Sequence, residues 1–369
     1  MITGADDYPF HQTPDPMAFA GTDRNFYDRF FFNGYTPDGE VFFALAFGLY
    51  PQLDVMDGAF CVLKDGKQHN VRVSRKMNAD RSVLAVGPLS IEIVNPLKET
   101  RIRLTDNDSG IVCDLICHAR HEPIEEPRFT RRIGTRAFMD YTRLTQNVSW
   151  SGEIRLDGET IRFDASEVFG TRDRSWGVRP VGNADSQPPR EGSLTQFYWL
   201  WTPCNFKNAV AFSHTNDDEY GRPWNRRAGT QIIGQPLREY DEVEYRYEWS
   251  PNTRRIASLI ADMSSEAGRA ELKFTPFKTF YMTGLGYGHP QWGHGKDQGD
   301  DAFAYDVMEA EACTPFDPMC LHIQALAKAE LTIDGETHSG IGVVEQFFVG
   351  RHDRTGMMDG LAVLPEGER

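Results

Sequence analysis

The segment Ile154-Arg-Leu-Asp-Gly-Glu-Thr-Ile-Arg-Phe163 holds two short runs in which apolar and polar residues alternate, with Asp157-Gly158 between them. Alternation with a period of two places the apolar side chains of a strand on one face. An Asp-Gly pair suits the positive backbone dihedrals of a tight hairpin turn. The segment therefore predicts a β-hairpin.

The same two signals recur along the sequence. Asp-Gly pairs stand at 38–39, 65–66 and 334–335, and alternating runs stand at 71–74, 91–94 and 243–249. Helical periodicity is scarce, because the best helical candidate, 318–331, alternates equally well as a strand. We therefore predict an all-β protein of antiparallel sheets with one or two short helices.

The length and the charge narrow the class of protein. A chain of 369 residues favours two domains. The 39 Lys and Arg against 54 Asp and Glu give a net charge of −15, which repels phosphate backbones and anionic lipids, so no nucleic acid partner is expected. The sequence has no membrane-length apolar run and no secretory pattern at its start, so we expect a cytoplasmic protein without membrane insertion.

The six cysteines are scattered without C-x-x-C pairs and are predicted to be reduced core thiols.

Residues 181–193 concentrate Gly, Pro and small polar residues and show no apolar period, so they predict a linker. The predicted division is an N-terminal β unit over 1–180 and a C-terminal β unit over 194–369. The sequence Asp-Gly-Glu-Thr occurs at 157–160 and again at 334–337. This echo indicates either an internal repeat of two related β units or two unrelated hairpin turns.

Residue types that carry chemistry are densest in Gly170-Thr-Arg-Asp-Arg-Ser-Trp-Gly177. In an extended strand Asp173 faces one side, and the two arginines and Trp176 face the other, so the acid and the indole meet only at a bend or bulge. Asp173 is the candidate principal acid or base, and Arg172 and Arg174 are candidate anchors for an anion or hydroxyl. The alternative is an ion-paired strand end that caps a barrel.

A second cluster is the glycine-rich stretch 284–295, which contains His289, Trp292 and His294. Imidazoles titrate near neutral pH, so both histidines are candidate acid or base groups unless they only hold the loop by local hydrogen bonds. No metal site is predicted, because His118 and His121 would project from opposite faces of a strand. No phosphate-binding loop, nucleophile elbow or dinucleotide fingerprint is present, so no cofactor is predicted.

The run Phe197-Tyr-Trp-Leu-Trp201 places Trp199 and Trp201 on one face and Tyr198 on the other. Such a strand fills a barrel core or lines an apolar cavity. The candidate substrate-binding residues are Tyr141, Trp176, Tyr198, Trp199, Trp201 and Trp292.

Four stretches are similar to a known family: Phe47-Gly-Leu-Tyr-Pro51, Met56-Asp-Gly-Ala-Phe60, Asp173-Arg-Ser-Trp-Gly177 and Trp292-Gly-His-Gly295. They resemble the lipocalin-like hydroxyneurosporene synthase (carotenoid 1,2-hydratase) family and its uncharacterised bacterial relatives. The resemblance implies two consecutive lipocalin-like antiparallel β-barrel or sandwich units with a hydrophobic tunnel. It also implies that a carboxylate at the position of Asp173 protonates an alkene beside an aromatic wall at Trp176, without metal or organic cofactor.

This chain departs from that pattern in Arg172 and Arg174. Guanidiniums close to Asp173 would keep it ionised, which favours a base or an orienting carboxylate over an acid. We therefore predict a cofactor-independent lyase (a hydratase, an eliminating enzyme or a carbon–carbon lyase) or an isomerase that uses acid/base chemistry.

The predicted substrate is a hydrophobic small molecule in an aromatic-lined cavity. An aromatic dimer such as a lignin-derived compound, a terpenoid and a steroid all fit, and the first would imply aromatic compound catabolism. The sequence leaves open whether the protein forms a homodimer. The alternative function is a non-catalytic lipocalin-like carrier of an apolar ligand, because a fold alone never assigns an activity.

Overall fold

The computed structural model describes residues 2–9, 11, 21–78, 80–187 and 195–358. These residues form 24 strands, and their helical structure is limited to 3-10 turns of at most four residues, such as Gly4–Asp7 and Met282–Leu285. The predicted all-β class is therefore confirmed. Within the described ranges, nothing helical reaches the length and apolarity that a membrane crossing needs.

In chain order the strands are β1 (Phe26–Tyr35), β2 (Phe42–Tyr50), β3 (Val55–Lys64), β4 (Lys67–Lys76), β5 (Ala85–Val86), β6 (Leu89–Asn95), β7 (Glu99–Leu104), β8 (Val112–Ala119), β9 (Ile124–Glu125), β10 (Phe129–Ile133), β11 (Arg136–Leu156), β12 (Glu159–Phe163), β13 (Phe169–Val178), β14 (Phe197–Trp201), β15 (Cys204–Phe206), β16 (Ala209–Asp217), β17 (Pro223–Ile232), β18 (Arg238–Tyr240), β19 (Glu242–Trp249), β20 (Ile256–Ser265), β21 (Gly268–Tyr281), β22 (Ala302–Glu309), β23 (Ile323–Ile333) and β24 (Glu336–Val349).

The chain divides into two compact units, and the first is discontinuous. It comprises Met1–Ser193 and Thr283–Glu309, and the second comprises Leu194–Met282 and Ala310–Arg369. The sequence pattern does not indicate that 283–309 join the first unit. Residues 188–193 of the predicted linker lie outside the described residues.

The sheet of the first unit follows the order β22-β4-β3-β2-β1-β13-β11-β8-β7-β6-β5, with β9, β10 and β12 on β11. Its pairs are antiparallel, and one face packs a core that includes Phe30, Phe47 and Trp150. The predicted hairpin is formed by β11 and β12, with Asp157 and Gly158 at φ of 51° and 80°. The local turn chemistry therefore acts as the sequence predicts.

The sheet of the second unit follows the order β18-β17-β16-β14-β24-β23-β21-β20-β19, with β15 on β16 and β24. The ambiguous stretch 318–331 contains the 3-10 turn Pro318–Cys320 and then most of β23, which pairs with β21 and β24. The alternating interpretation of this stretch is therefore correct, and the Asp334-Gly335 turn connects β23 to β24.

The cysteine prediction is wrong for two residues. Cys313 and Cys320 form a disulfide, whereas Cys61, Cys113, Cys117 and Cys204 are free and buried. The turn at Pro318–Cys320 brings the two Cα atoms to 6.0 Å, which lies within disulfide range. The spacing alone could not show this, because seven residues can also be spanned by an extended chain.

Candidate functional site

Strand β13 carries the densest polar motif and lies in the middle of the first sheet. It pairs with β1 and β11 over its whole length without a register shift. The strand is therefore extended, and its side chains alternate strictly between the two faces. We call the face that carries Phe30 and Phe47 the apolar face, and the face that carries Arg29 and Asp57 the polar face.

The two predicted arginine anchors lie on the apolar face, away from Asp173. Arg172 donates to Asp7 at 2.9 Å, and Arg174 pairs with Asp28; all four side chains are at most 5% exposed. Trp176 shares this face and stacks on His11 at 4.0 Å. Both arginines form internal ion pairs, and their role as substrate anchors stays a prediction.

Asp173 lies on the polar face, and the guanidinium beside it belongs to Arg143. Arg143 Nη2 donates to Asp173 Oδ2 at 2.8 Å, and Arg143 Nε lies 3.6 Å from Glu126. Tyr141 is on the same face, stacked on Phe129 at 4.5 Å. Asp173 therefore accepts a hydrogen bond on the polar face, and its chemical role stays a prediction.

The most unusual carboxyl of the polar face is that of Asp57, which sequence reasoning missed. Tyr50 donates its phenolic hydrogen to Asp57 Oδ1 at 3.2 Å, and the Gly295 amide donates to Oδ2 at 2.7 Å. Burial raises the pKa of Asp57 to about 6, although the nearby Arg29 guanidinium acts in the opposite direction. The residue as a whole is partly exposed.

Glycines shape the approach of Tyr50 to this carboxyl. Gly48 lies opposite Asp57 on β2, and a Cβ there would lie 2.2 Å from the Tyr50 hydroxyl. Gly295 has a φ of +71°, and a Cβ there would lie 2.9 Å from the Tyr50 ring. Both close approaches to Tyr50 require glycine, which explains why the motifs at 47–51 and 292–295 have glycine at positions 48 and 295. Burial raises the pKa of Tyr50 well above 10, so its hydroxyl remains a donor.

Arg29 provides hydrogen-bond donors next to Asp57. Arg29 pairs with Gly48 on the neighbouring strand, and Gly48 pairs with Asp57, so the three residues form one row across the sheet. Arg29 is buried, with 3% of the residue exposed. Arg29 Nη2 donates to Leu285 O at 3.3 Å, and its guanidinium lies 4.8 Å from the Tyr287 ring centre. Arg29 Nε and Nη1 are buried and have no partner among the residues that the structure describes. Such donors can bind an oxyanion.

The glycine-rich loop covers this region, and its two histidines hold it in place. His294 Nε2 donates to Leu285 O at 3.0 Å, so its Nδ1 accepts the hydrogen of Arg179 Nη2 at 3.1 Å. His289 Nδ1 accepts the Trp292 amide at 2.9 Å. These contacts favour a positioning role over the predicted acid/base role. Trp292 lines a narrow cleft beside Asp57.

The remaining predicted residues belong to the second unit. Tyr198 donates to the Tyr247 hydroxyl at 2.7 Å and stacks on His352 at 4.0 Å. On the other face of β14, Trp199 Nε1 donates to Glu345 at 2.8 Å, and Trp201 is fully buried. The alternation of the run is confirmed, and its role in substrate binding stays a prediction.

Three of the four resemblance stretches converge on Asp57. The stretch 47–51 supplies Gly48 and Tyr50, the stretch 56–60 supplies Asp57 itself, and the stretch 292–295 supplies Gly295. The fourth supplies Ser175, which lies opposite Arg29 on the polar face. The signal for this site was therefore present in the sequence, but only as separate motifs.

Three solved structures have a fold similar to that of this chain. Kievitone hydratase from Nectria haematococca aligns with a TM-score of 0.57 and 11% identity, covering 94% of this chain and 93% of that chain. An ATTH-like protein from Nitrosomonas europaea aligns at 0.53 and 15% identity, covering 92% and 98%. CghA, solved with Sch210972, aligns at 0.50 and 10% identity, covering 88% and 89%. These likenesses support the predicted lipocalin-like architecture.

At the level of sequence, the comparisons give one family and no curated relative. The model described as a family of unknown function (DUF8625) matches residues 2–358. The search of curated proteins finds no match. A hydratase fold is thus found among the structural neighbours, and membership of the carotenoid 1,2-hydratase family stays a prediction.

Proposed function

Because the chain belongs to the DUF8625 family, whose function is unknown, no reaction follows from membership, and we propose from its own residues a cofactor-independent hydro-lyase or isomerase. The reaction would use acid/base chemistry on a hydrophobic small molecule that carries a carbonyl or phenol oxygen. The observation that carries this proposal is the Asp57 carboxyl, which accepts hydrogen bonds from Tyr50 and Gly295 and has a pKa raised to about 6, beside the unpaired donors of Arg29.

Asp57 is the proposed proton donor. General acids work best when their pKa lies near the operating pH, and a carboxyl with a pKa of about 6 keeps a useful protonated fraction close to neutrality. The Tyr50 hydroxyl and the Gly295 amide fix the orientation of the carboxyl. The predicted principal acid, Asp173, is ion-paired with Arg143 on the same face and becomes the proposed orienting carboxylate.

Arg29 is the proposed stabiliser of negative charge. When water adds to a carbon–carbon double bond conjugated to a carbonyl, the electron pair moves onto the carbonyl oxygen and forms an enolate. One unpaired N–H of Arg29, that of Nε or of Nη1, would bind that oxygen while Asp57 delivers a proton to carbon. The proton lost by the attacking water restores the Asp57 acid. Without water, the same two groups would move a double bond, which is an isomerisation.

The substrate class follows from the surroundings. Tyr287 lies under Arg29, and Tyr27 lies 4.5 Å from the Arg179 guanidinium and 5.8 Å from Tyr141. These rings suit a flat, largely apolar molecule. The structural neighbour named kievitone hydratase supports a hydratase on this fold by analogy.

The test is to purify wild type and Asp57→Asn from the natural host and identify bound small molecules by native mass spectrometry and organic extraction. Asp57→Asn should retain an unreacted ligand that wild type converts, with the mass of the product changed by one water for a hydro-lyase or unchanged for an isomerase. Asp157→Asn, which changes an exposed carboxyl in a hairpin turn, is the matched control and should behave as wild type.

A ligand that both proteins retain chemically unchanged would refute the proposed enzyme and support the non-catalytic carrier. Equal conversion by wild type and Asp57→Asn would reject Asp57 as the acid. Asp173→Asn then separates the two carboxyls, because loss of an orienting group raises KM more than it lowers kcat.

A further inference from the structure

The second unit contains a groove that the proposed function does not use. Its volume is about 920 Å³. Buried apolar side chains of Val243, Met263 and Ala270 form part of its wall, and most of the other lining residues are charged. Five carboxylates and three guanidiniums line it, so the groove is negative overall except where a guanidinium projects into it.

One of these guanidiniums, Arg226, is unusual. It lies on β17 opposite Thr215 of β16, on the face that also carries Ser213 and Ala228. Arg226 Nε and Nη2 are both buried, and neither has a hydrogen-bond partner anywhere in the described part of the chain. A buried charged donor without an acceptor is costly, so two of them on one side chain call for an occupant.

The two unpaired nitrogens define the shape of that occupant. Nε–H and Nη2–H form the side-on pair of a guanidinium, which matches the two oxygens of a carboxylate. The same chain shows this geometry at Arg101, whose Nε donates to Asp114 Oδ1 at 2.7 Å while its Nη2 bonds Oδ2. Arg226 lines the groove and carries the same pair of donors, both of them buried and unpaired within the described residues.

The surroundings favour a single negative charge on an apolar body. The carboxylates of the lining disfavour a dianion such as phosphate more than a monoanion, and the side chains of Val243, Met263 and Ala270 offer contacts to hydrocarbon. Tyr245 lies close to Arg226, and burial raises the pKa of its phenol to about 12, so this neighbour of the guanidinium stays neutral. Four of the rim carboxylates already have arginine partners: Glu244, Asp262, Glu271 and Asp334.

We propose that the groove of the second unit binds a monocarboxylate with an apolar body, such as a medium-chain fatty acid or an aromatic acid, through a bidentate contact with Arg226. This site is separate from the Asp57 site, and the proposed reaction does not depend on it.

The experiment uses the full chain and isothermal titration calorimetry with octanoate, benzoate, 1-octanol and inorganic phosphate. Wild type should bind the two carboxylates in preference to 1-octanol and phosphate. Arg226→Met and Arg226→Lys should each bind octanoate at least about tenfold more weakly, because neither offers the two parallel donors. Arg269→Gln removes an exposed guanidinium that lines the same groove and should retain affinity within about twofold.

Folding is controlled separately. Arg226→Met removes a charge that has no internal partner, so its melting temperature without ligand should equal or exceed that of wild type. A lower melting temperature would show that Arg226 serves the fold and would overturn the proposal. Unchanged octanoate binding in Arg226→Met, equal losses in Arg226→Met and Arg269→Gln, or Arg226-dependent binding of phosphate in preference to octanoate would each overturn it as well.

Discussion

The replacement of Asp57 by Asn tests the raised pKa of this carboxyl without any substrate. Burial lifts the pKa from 3.8 to about 6. A carboxyl whose pKa is higher in the folded chain than in the unfolded chain favours folding at low pH, and this contribution is lost as the pH rises from about 4 to above 6. Over the whole interval the free energy of unfolding of wild type should fall by about 3 kcal/mol because of this one group.

Asn is neutral at every pH and does not show this loss. Its carbonyl oxygen keeps the hydrogen bond from Tyr50, but its amide nitrogen cannot accept the Gly295 N–H, which costs about 1 kcal/mol at all pH values. That cost cancels when the variant is compared with wild type at two pH values. The stability of Asp57→Asn relative to wild type should therefore rise by about 2 kcal/mol between about pH 4.5 and about pH 7.5.

The assay is urea unfolding followed by tryptophan fluorescence at the two pH values, with Asp157→Asn as the control. Asp157 is exposed in a turn, so its replacement should give the same relative stability at both pH values. If Asp57→Asn also shows no change with pH, the carboxyl has an ordinary pKa and the argument for a general acid fails.

Three further predictions follow from the first unit. Arg174→Ala removes the guanidinium that pairs with the buried Asp28 and leaves that carboxylate its contact with His11, so urea unfolding should show a loss of about 3 kcal/mol; a stable variant with altered ligand affinity would instead support the anchor role. Gly48→Ala forces the Tyr50 hydroxyl away, because the new Cβ would lie 2.2 Å from it, and should cost about 1–3 kcal/mol by the same assay; an unchanged midpoint would contradict this. The neutral form of His294 should be the Nε2–H tautomer in ¹⁵N NMR spectra, since Nδ1 accepts from a guanidinium; an Nδ1–H signal would exclude the contact.

The sequence predicts well those elements whose conformation depends on residues that are adjacent in the sequence. The Asp157-Gly158 turn and the alternation of β13 depend on dihedral preferences and on the pleat, both of which are local. The alternation also separates Asp173 from Trp176, as an extended strand requires. The pattern at 318–331 fits a helix and a strand equally well, and pairing with β21 and β24 makes most of it a strand.

The site itself was hidden because its partners are distant in sequence. Asp57 stands in an apolar strand and resembles a core interruption, and its pKa depends on an amide 238 residues further along the chain. The ion pairs of Arg172 and Arg174 were missed for a related reason, since their carboxylate partners, Asp7 and Asp28, are 165 and 146 residues away. Spacing along one motif does not reveal contacts of this length.

The discontinuous first unit has a consequence for biosynthesis. During translation β4 emerges long before β22, its neighbour in the sheet. At about 5–20 residues per second, the ribosome needs roughly ten to fifty seconds to make the chain between Asp57 and Gly295. For that time β4 is an open edge that other nascent chains can pair with. Such pairing is opposed by the positive charges of β4, which lie on Lys67, Arg72, Arg75 and Lys76. These charges reduce aggregation through this edge until β22 has been synthesised.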